Sequence, residues 1–163
     1  MNMRVAFLPG TYRPDRCGVA HYTALLTREL AGRGVECVVV TSHDAAGLHP
    51  HPGVIGATQG WGPGMLVGVA AVLRRLDPDI LHIQHAAGSF GFRRAVLWLP
   101  PALRAAGWRR PMVVTAHEYG WWPWQPRLWG WAWRRLGSWG ESRSLWDRED
   151  LALLTGADAI IVT

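Results

Sequence analysis

The chain has 163 residues, of which 49% are hydrophobic and 18% charged, and its formal net charge is +5. This composition excludes a disordered, collagen-like or solvating chain, and the length fits one domain spanning residues 1–163. No apolar run is long enough to cross a bilayer or to form the apolar region of a signal peptide. The two cysteines match no disulfide framework or zinc spacing, so we expect a cytoplasmic protein.

All 17 basic residues are arginine, and they are spread evenly along the chain. Residues 1–100 contain nine arginines against six acids, and residues 101–163 contain eight against six. A nucleic-acid binder usually concentrates its basic residues on one element. We therefore expect no nucleic acid among the partners of this protein.

Short apolar runs typical of buried strands alternate with segments of helical periodicity. The predicted strands are residues 4–8, 38–40, 80–84, 112–116 and 159–162. The predicted helices cover residues 19–30, 66–76 and 93–107, the last interrupted by Pro100 and Pro101. Residues 43–64 contain six glycines and three prolines and predict a long mobile loop, with at most a short strand at 54–55. This alternation predicts an α/β fold: a doubly wound, mostly parallel sheet with helices on both faces.

Ligands of an open parallel sheet bind beyond the carboxyl ends of the strands, where the strand order reverses. Polar and glycine residues follow four predicted strands at that edge: Tyr12, Arg16 and Gly18; Ser42 and His43; Gln84 and His85; His117, Glu118 and Tyr119. We expect these residues to converge on one site. The alternative is that they are ordinary polar loop ends, as in any soluble protein.

Gly18 begins the first predicted helix. Because it lacks a Cβ, a ligand could approach the free N–H groups at the positive end of the helix dipole, which suits a diphosphate. Neither G-x-G-x-x-G nor G-x-x-x-x-G-K-[ST] occurs, so hydride transfer on NAD and a P-loop kinase are disfavoured.

Two patterns resemble metal sites but do not predict one. Asp77 and Asp79 flank a proline at the amino end of a strand, the edge opposite the expected site, and are interpreted as turn residues. His82 and His85 are three apart on a strand, so their side chains point to opposite faces. We expect no metal and no cofactor.

Five motifs in the same order resemble the N-terminal, acceptor-side domain of family-four glycosyltransferases, which have the two-domain GT-B fold. They are residues 17–22 (CGVAHY), 34–41 (GVECVVVT), 78–85 (PDILHIQH), 111–118 (PMVVTAHE) and 157–163 (ADAIIVT). The resemblance implies retaining, metal-independent transfer of a sugar from a nucleotide-sugar to an acceptor. The chain departs from the family pattern at Cys17, where many members have a second glycine.

By motif, the resemblance implies that Gly18 lies against the donor diphosphate and that His117 reaches the transferred sugar as the catalytic residue. The loops around them would line the acceptor side, through Tyr12, Arg16, Gln84, His85, Glu118 and Tyr119. For His117 the alternative is a structural histidine that caps the end of its strand. The acceptor would be a glycan or a lipid-linked molecule.

Residues 121–140 contain seven tryptophans, three arginines and no acid. On a helix, one face would carry Leu128, Trp129, Ala132, Trp133, Leu136 and Trp139, and the opposite face Arg127, Trp131, Arg134 and Arg135. Two interpretations remain open. One is an aromatic core helix with solvated arginines. The other is a helix at the inner face of a membrane, with tryptophan at headgroup depth and arginine against anionic lipid.

Two functions of different classes follow. The first is the acceptor-side half of a glycosyltransferase, inactive alone because a C-terminal donor-binding domain is missing. The second is a non-catalytic module on the same scaffold that binds a membrane or a partner protein. A third, weaker alternative is another doubly wound nucleotide-binding protein.

Overall fold

A computed structural model describes residues 3–119, 130–147 and 150–163, with only the backbone described for Trp133. Six parallel strands form one sheet in the order β3-β2-β1-β4-β5-β6. The strands are β1 (Arg4–Pro9), β2 (Glu36–Ser42), β3 (Val54–Thr58), β4 (Ile80–His85), β5 (Met112–Ala116) and β6 (Ala159–Val162). The predicted α/β fold with a parallel sheet is confirmed.

Five α-helices and two 3₁₀ helices connect the described strands. The α-helices are α1 (Gly18–Ala31), α2 (His43–Leu48), α3 (Met65–Leu76), α4 (Leu99–Ala105) and α5 (Gly130–Glu141). The 3₁₀ helices are Ala87–Phe90 and Arg94–Trp98. Within the described residues, no helix combines the length and apolarity needed to cross a membrane.

The central strands of the sheet are buried on both faces, and β1 is apolar at every position after Arg4. In β1, Val5 and Phe7 join the cluster that packs against α1, whereas Ala6 and Leu8 join the larger cluster on the opposite face with α3 and α4. Burying both faces explains why the strands appear in the sequence as continuous apolar runs rather than as alternating patterns.

Two predicted segments differ from the structure. Residues 43–64 are not one long loop, because they contain α2 and β3. Ser42 caps α2 by accepting a hydrogen bond from the N–H of Ala45 (3.2 Å). Pro100 and Pro101 do not interrupt a helix; they lie in the first turn of α4, where a missing N–H costs nothing.

Charged side chains at the amino edge of the sheet stabilise turns. Asp77 ends α3 in the left-handed conformation (φ 43°), and a carboxylate oxygen of Asp79 accepts a hydrogen bond from the N–H of Arg4 (2.8 Å). Asp158 likewise accepts the N–H of Met112 (2.7 Å) and pairs with Arg104 (2.6 Å). The interpretation of Asp77 and Asp79 as turn residues therefore fits their positions.

Candidate functional site

The strand order reverses between β1 and β4, and the carboxyl edge at such a reversal is where an open parallel sheet binds its ligands. The loops that follow these two strands approach closely at Gly10. A Cβ at Gly10 would collide with the backbone of Ser89, in the 3₁₀ helix after β4. Only glycine therefore fits this position without moving one of the loops.

Gln84 and His117 meet at this edge, one from β4 and one from the end of β5. His117 Nε2 lies 2.8 Å from the side-chain oxygen of Gln84, and His117 Nδ1 lies 3.0 Å from the hydroxyl of Thr163. The Tyr22 ring of α1 packs edge-on against the imidazole, with ring centroids 5.0 Å apart. His117 is thus held between β4, α1 and the residue after β6.

The contacts of His117 fit one tautomer when the amide oxygen of Gln84 faces the ring. His117 Nε2 then donates to that oxygen, and Nδ1 accepts a hydrogen bond from the Thr163 hydroxyl. Burial lowers the pKa of His117, the nearby His85 lowers it further, and Glu118 opposes both. The neutral imidazole is favoured, and its Nδ1 bond to Thr163 is exposed to solvent.

Gly18 is the first residue of α1, one turn before Tyr22. Its Cβ position faces open space, with no heavy atom within 4 Å. Cys17 precedes the helix in an extended conformation without a side-chain capping bond, and the first turn contains no acid. The N–H groups of this turn are therefore available to an anion, next to the Gln84–His117 contact.

Tyr12 and Arg16 lie on the loop between β1 and α1, on the β2 side of β1. Tyr12 packs edge-on against His49, with ring centroids 6.2 Å apart, and lines an open groove of about 460 Å³. Burial raises the pKa of Tyr12, and a hydrogen bond with the Thr27 side chain partly offsets this. Arg16 is exposed and lies 3.4 Å from the carboxylate of Asp15.

Glu118 and Tyr119 connect the loop after β5 to its neighbours. Glu118 accepts a hydrogen bond from the N–H of Ala87 (3.1 Å), which joins the loops after β4 and β5. The Tyr119 hydroxyl donates to a carboxylate oxygen of Asp147 (2.8 Å), although 57% of the Tyr119 side chain is exposed. Both residues lie at the predicted edge.

His85 does not fit the predicted role in acceptor binding, because its side chain is only 2% exposed. Successive residues of a strand face opposite sides, so His85 points away from the face that carries Gln84. Its Nε2 atom lies 3.5 Å from the Asp150 carboxylate, which is equally buried. Within the described residues, His85 Nδ1 and Asp150 Oδ2 have no hydrogen-bond partner.

Asp147 and Asp150 are residues that the sequence reasoning missed. Asp147 accepts hydrogen bonds from Tyr119 and from the N–H of Asp150 (3.0 Å), and Asp150 contacts His85. Together they tie the segment after α5 to the ends of β4 and β5. In the sequence both lie in a run of four charged residues, 147–150 (DRED), which is typical of a solvated turn and does not indicate which histidine they would meet.

His82 is the second buried histidine of β4. Its Nε2 lies 2.8 Å from the hydroxyl of Thr115 in β5, and its ring packs 5.1 Å from that of Phe7. Burial, with a smaller contribution from His117, lowers the pKa of His82 to about 4. Among the described residues, no three His, Cys, Asp or Glu side chains cluster in a way that could hold a metal ion.

This pKa predicts that the protein loses stability as the pH falls from 6.5 towards 4. In that range the unfolded chain binds a proton at His82 that the folded chain does not, which lowers the unfolding free energy by about 3 kcal/mol. We expect His82→Gln, which keeps a polar partner for Thr115, to flatten the dependence measured by urea unfolding. The exposed His51→Gln is the matched control. An unchanged slope in His82→Gln would contradict the prediction.

The Trp/Arg-rich segment forms α5 over its described part. Trp131, Arg134 and Arg135 are exposed, whereas Trp129 and the side chain of Trp133 lie outside the described residues. Trp131 and Arg135 do not face away from Leu136 and Trp139 as predicted. They share one exposed groove with them, because i, i+4 spacing aligns residues 131, 135 and 139.

The sequence of this chain matches a known protein family over most of its length. A family model described as Glycosyltransferase Family 4 matches residues 17–163. No curated protein matches the sequence. The match covers the strands and loops that form the carboxyl edge, apart from β1 and the start of its loop.

Solved structures share the fold at low sequence identity. One is an alpha-glucosyltransferase in complex with UDP and a 13-mer DNA containing a HMU base, at 16% identity and a TM-score of 0.55. The match covers 99% of this chain and 38% of the glucosyltransferase chain. Another is an alpha-glucosyltransferase in complex with UDP and a 13-mer DNA containing a central A:G mismatch, at 16% identity and a TM-score of 0.53. That match covers 98% of this chain and 37% of the glucosyltransferase chain. This chain therefore spans less than two fifths of the length of these structures.

The exclusion of nucleic acid is wrong in the light of these two structures, because both hold DNA. The exclusion rested on the even spread of arginine along the sequence. Linear spacing does not show how charges are distributed in space, so it was not a valid ground for ruling out this class of partner.

Proposed function

Since this chain belongs to glycosyltransferase family 4, we propose that it is the acceptor-side half of a GT-B enzyme that moves a sugar from a nucleotide-sugar to an acceptor. Family membership confirms the class of enzyme expected from the sequence, a glycosyltransferase. The proposal adds retention of anomeric configuration, independence from metal and a C-terminal domain that binds most of the donor.

The observation that carries the proposal is the Gln84–His117 pair beside the uncapped first turn of α1. His117 is neutral and directed by Gln84, and only the exposed bond to Thr163 occupies its acceptor nitrogen. A sugar hydroxyl can replace the Thr163 hydroxyl at Nδ1 at little cost, because that exchange trades one neutral hydrogen bond for another. This supports contact between His117 and the transferred sugar.

The first turn of α1 supports the binding of the donor diphosphate. Negative charge develops on the leaving diphosphate during transfer, and backbone N–H groups at a helix N-terminus stabilise such charge without reorganising. Gly18 leaves room for the phosphates at this position. One helix terminus neutralises little of the charge, so the proposal assigns the remaining cationic groups to the second domain.

The acceptor side comprises Tyr12, Arg16, Glu118 and Tyr119, on the loops that follow β1 and β5. The groove beside Tyr12 suits a sugar ring or a nucleobase, because it combines aromatic and polar walls. A glycan, a lipid-linked molecule and DNA are therefore all acceptors to test, and UDP is the first nucleotide, since similar structures contain UDP and DNA. A cytoplasmic location, with two free cysteines, belongs to the same proposal.

Exposed apolar residues on β6 support the need for further protein. Ile160, Ile161 and Val162 are 49%, 41% and 78% exposed on a strand that pairs, among the described strands, with β5 alone. An apolar edge strand left open to water is usually covered or blunted. Under the proposal, β6 faces the remainder of the GT-B enzyme.

We expect the 163-residue chain alone to show no turnover and at most weak binding of nucleotide-sugars, because water would have free access to the donor in half a cleft. The test is an assay of released nucleoside diphosphate with UDP-sugars, run on the chain alone and on a two-domain protein that includes any downstream sequence. Turnover only in the two-domain protein would support the proposal. Turnover by the chain alone, lost on His117→Ala, would refute the need for a second domain.

The alternative function is a non-catalytic binding module. This function is favoured only if the protein binds a partner but releases no nucleotide from any donor. The protein tested is the two-domain form or, when no downstream domain exists, the chain itself. Saturation-transfer NMR with UDP-sugars separates the two functions, because a binding module would show no contact at the protons of the sugar.

A further inference from the structure

Helix α5 is attached to the protein through its small residues. Gly137 and Gly140 are buried, and the Trp146 ring packs so closely on Gly140 that a Cβ there would collide with it. The two glycines are three residues apart and share one face of the helix. Among the described residues, α5 therefore lies against the segment that follows it. Trp139 also contacts the Trp146 ring, with centroids 6.1 Å apart, whereas Trp131 and Leu136 lie on the exposed side.

The outward side of α5 is apolar. Trp131, Leu136 and Trp139 are 64%, 48% and 46% exposed, and with Ala132 and Arg135 they line an open groove. A surface helix of a water-soluble protein normally buries its large apolar residues and exposes its polar ones. A contiguous exposed patch of this kind marks an interaction site, whereas single exposed apolar residues do not.

Arginines border the apolar patch. Arg134 and Arg135 are exposed, and the guanidinium of Arg143 stacks over the Trp139 ring, 4.5 Å from its centroid. The only acid in α5 is Glu141, at its last residue. The outward side of the helix thus combines aromatic rings with positive charge, and most of its length lacks negative charge.

We propose that the outward side of α5 docks on an anionic lipid bilayer, with Trp131, Leu136 and Trp139 at headgroup depth and the three arginines against lipid phosphates. Tryptophan favours this depth because its ring is apolar and its N–H is polar. Arginine at the border of an apolar face adds attraction to anionic lipid. The inference is independent of glycosyl transfer, since it concerns binding to lipid alone.

The test is flotation of the 163-residue protein with vesicles of phosphatidylcholine alone or with about one third phosphatidylglycerol. We expect binding to the anionic vesicles to be at least about tenfold tighter and to weaken as salt is raised. Arg134→Gln and Arg135→Gln should each lower the affinity for anionic vesicles by about fivefold and leave binding to neutral vesicles unchanged.

Trp131→Ser and Leu136→Ser should weaken binding to both kinds of vesicle, because they remove apolar area that enters the interface. Trp98→Ser and Val67→Ser are the matched controls, since both residues are exposed (44% and 73%) on other elements. Circular dichroism and thermal unfolding check that each variant folds. As both α5 residues are exposed, the variants should melt with the parent protein.

Three results would overturn the inference. The first is equal binding to neutral and anionic vesicles. The second is an equal loss of binding in Trp98→Ser and Trp131→Ser. The third is a concentration-dependent dimer, measured by light scattering, that Trp131→Ser abolishes while the parent protein fails to bind vesicles. In that case a second copy of the chain, rather than a lipid surface, would cover α5.

Discussion

His117→Ala in the two-domain enzyme is expected to lower turnover by about 100-fold or more. The variant removes the neutral imidazole that Gln84 directs, and with it the nitrogen proposed to accept a hydroxyl of the transferred sugar. The loss should appear mainly in kcat, because a contact that strengthens in the transition state contributes little to ground-state binding. Steady-state kinetics with a saturating acceptor measures the effect.

Stability provides the discriminating control for this variant. The imidazole is only partly buried and its bond to Thr163 is exposed, so the melting temperature should fall by a few degrees at most. Gln84→Leu should lower turnover less than His117→Ala does, because it frees the orientation of the ring without removing it. Arg33→Ala, on the exposed turn between α1 and β2 at the amino edge of the sheet, should leave turnover unchanged. A melting temperature that falls in step with activity would mean that His117 only caps β5.

Asp150→Ala is expected to lower the unfolding free energy near neutral pH by about 3 kcal/mol. Asp150 and His85 are both almost fully buried and 3.5 Å apart. Removing the carboxylate leaves the His85 ring without a polar partner in an apolar environment. Urea unfolding near neutral pH measures the loss.

Two further variants separate the pair from its surroundings. Asp150→Asn keeps an oxygen that can face His85 Nε2, so it should cost clearly less than Asp150→Ala. The double variant His85→Leu/Asp150→Val should recover much of the lost stability, because an apolar pair needs no hydrogen-bond partner. If Asp150→Ala costs less than about 1 kcal/mol, within the range of surface substitutions, water reaches the pair and the burial argument fails.

Asp150 also bears on the carboxyl edge itself. Its N–H bonds to Asp147, which accepts the Tyr119 hydroxyl, so the segment after α5 is tied to the loop that carries His117. Asp150→Ala keeps this N–H but removes the side-chain contact with His85 that anchors the segment. We therefore expect amide exchange to accelerate more in residues 117–119 than in β1, as a local effect of loosening this segment. Equal acceleration throughout the sheet would indicate global destabilisation instead.

Much of the fold follows from the sequence alone. Five of the six strands were predictable, because a parallel sheet buried on both faces needs continuous apolar runs, as in β1 and β2. The sequence also predicted that Gly18, Gln84 and His117 lie at one edge of the sheet, because the loops that follow parallel strands all leave the sheet at its carboxyl edge. α2 was missed because a capping serine is a weak signal among six glycines, and β3 extends the short strand expected at 54–55 as far as Thr58.

Tertiary structure decided which way side chains face and what they meet. The sequence correctly placed His85 at the carboxyl edge of the sheet. In the structure His85 is buried against Asp150, which lies 65 residues later in the chain. Local sequence patterns do not encode such distant contacts. In α5, periodicity defined two faces of the helix but not which one packs against the protein. The packing of Trp146 on Gly140 determines which face of α5 contacts the protein, because only glycine at this position leaves room for the indole ring. Trp131 and Trp139 are consequently left partly exposed to solvent.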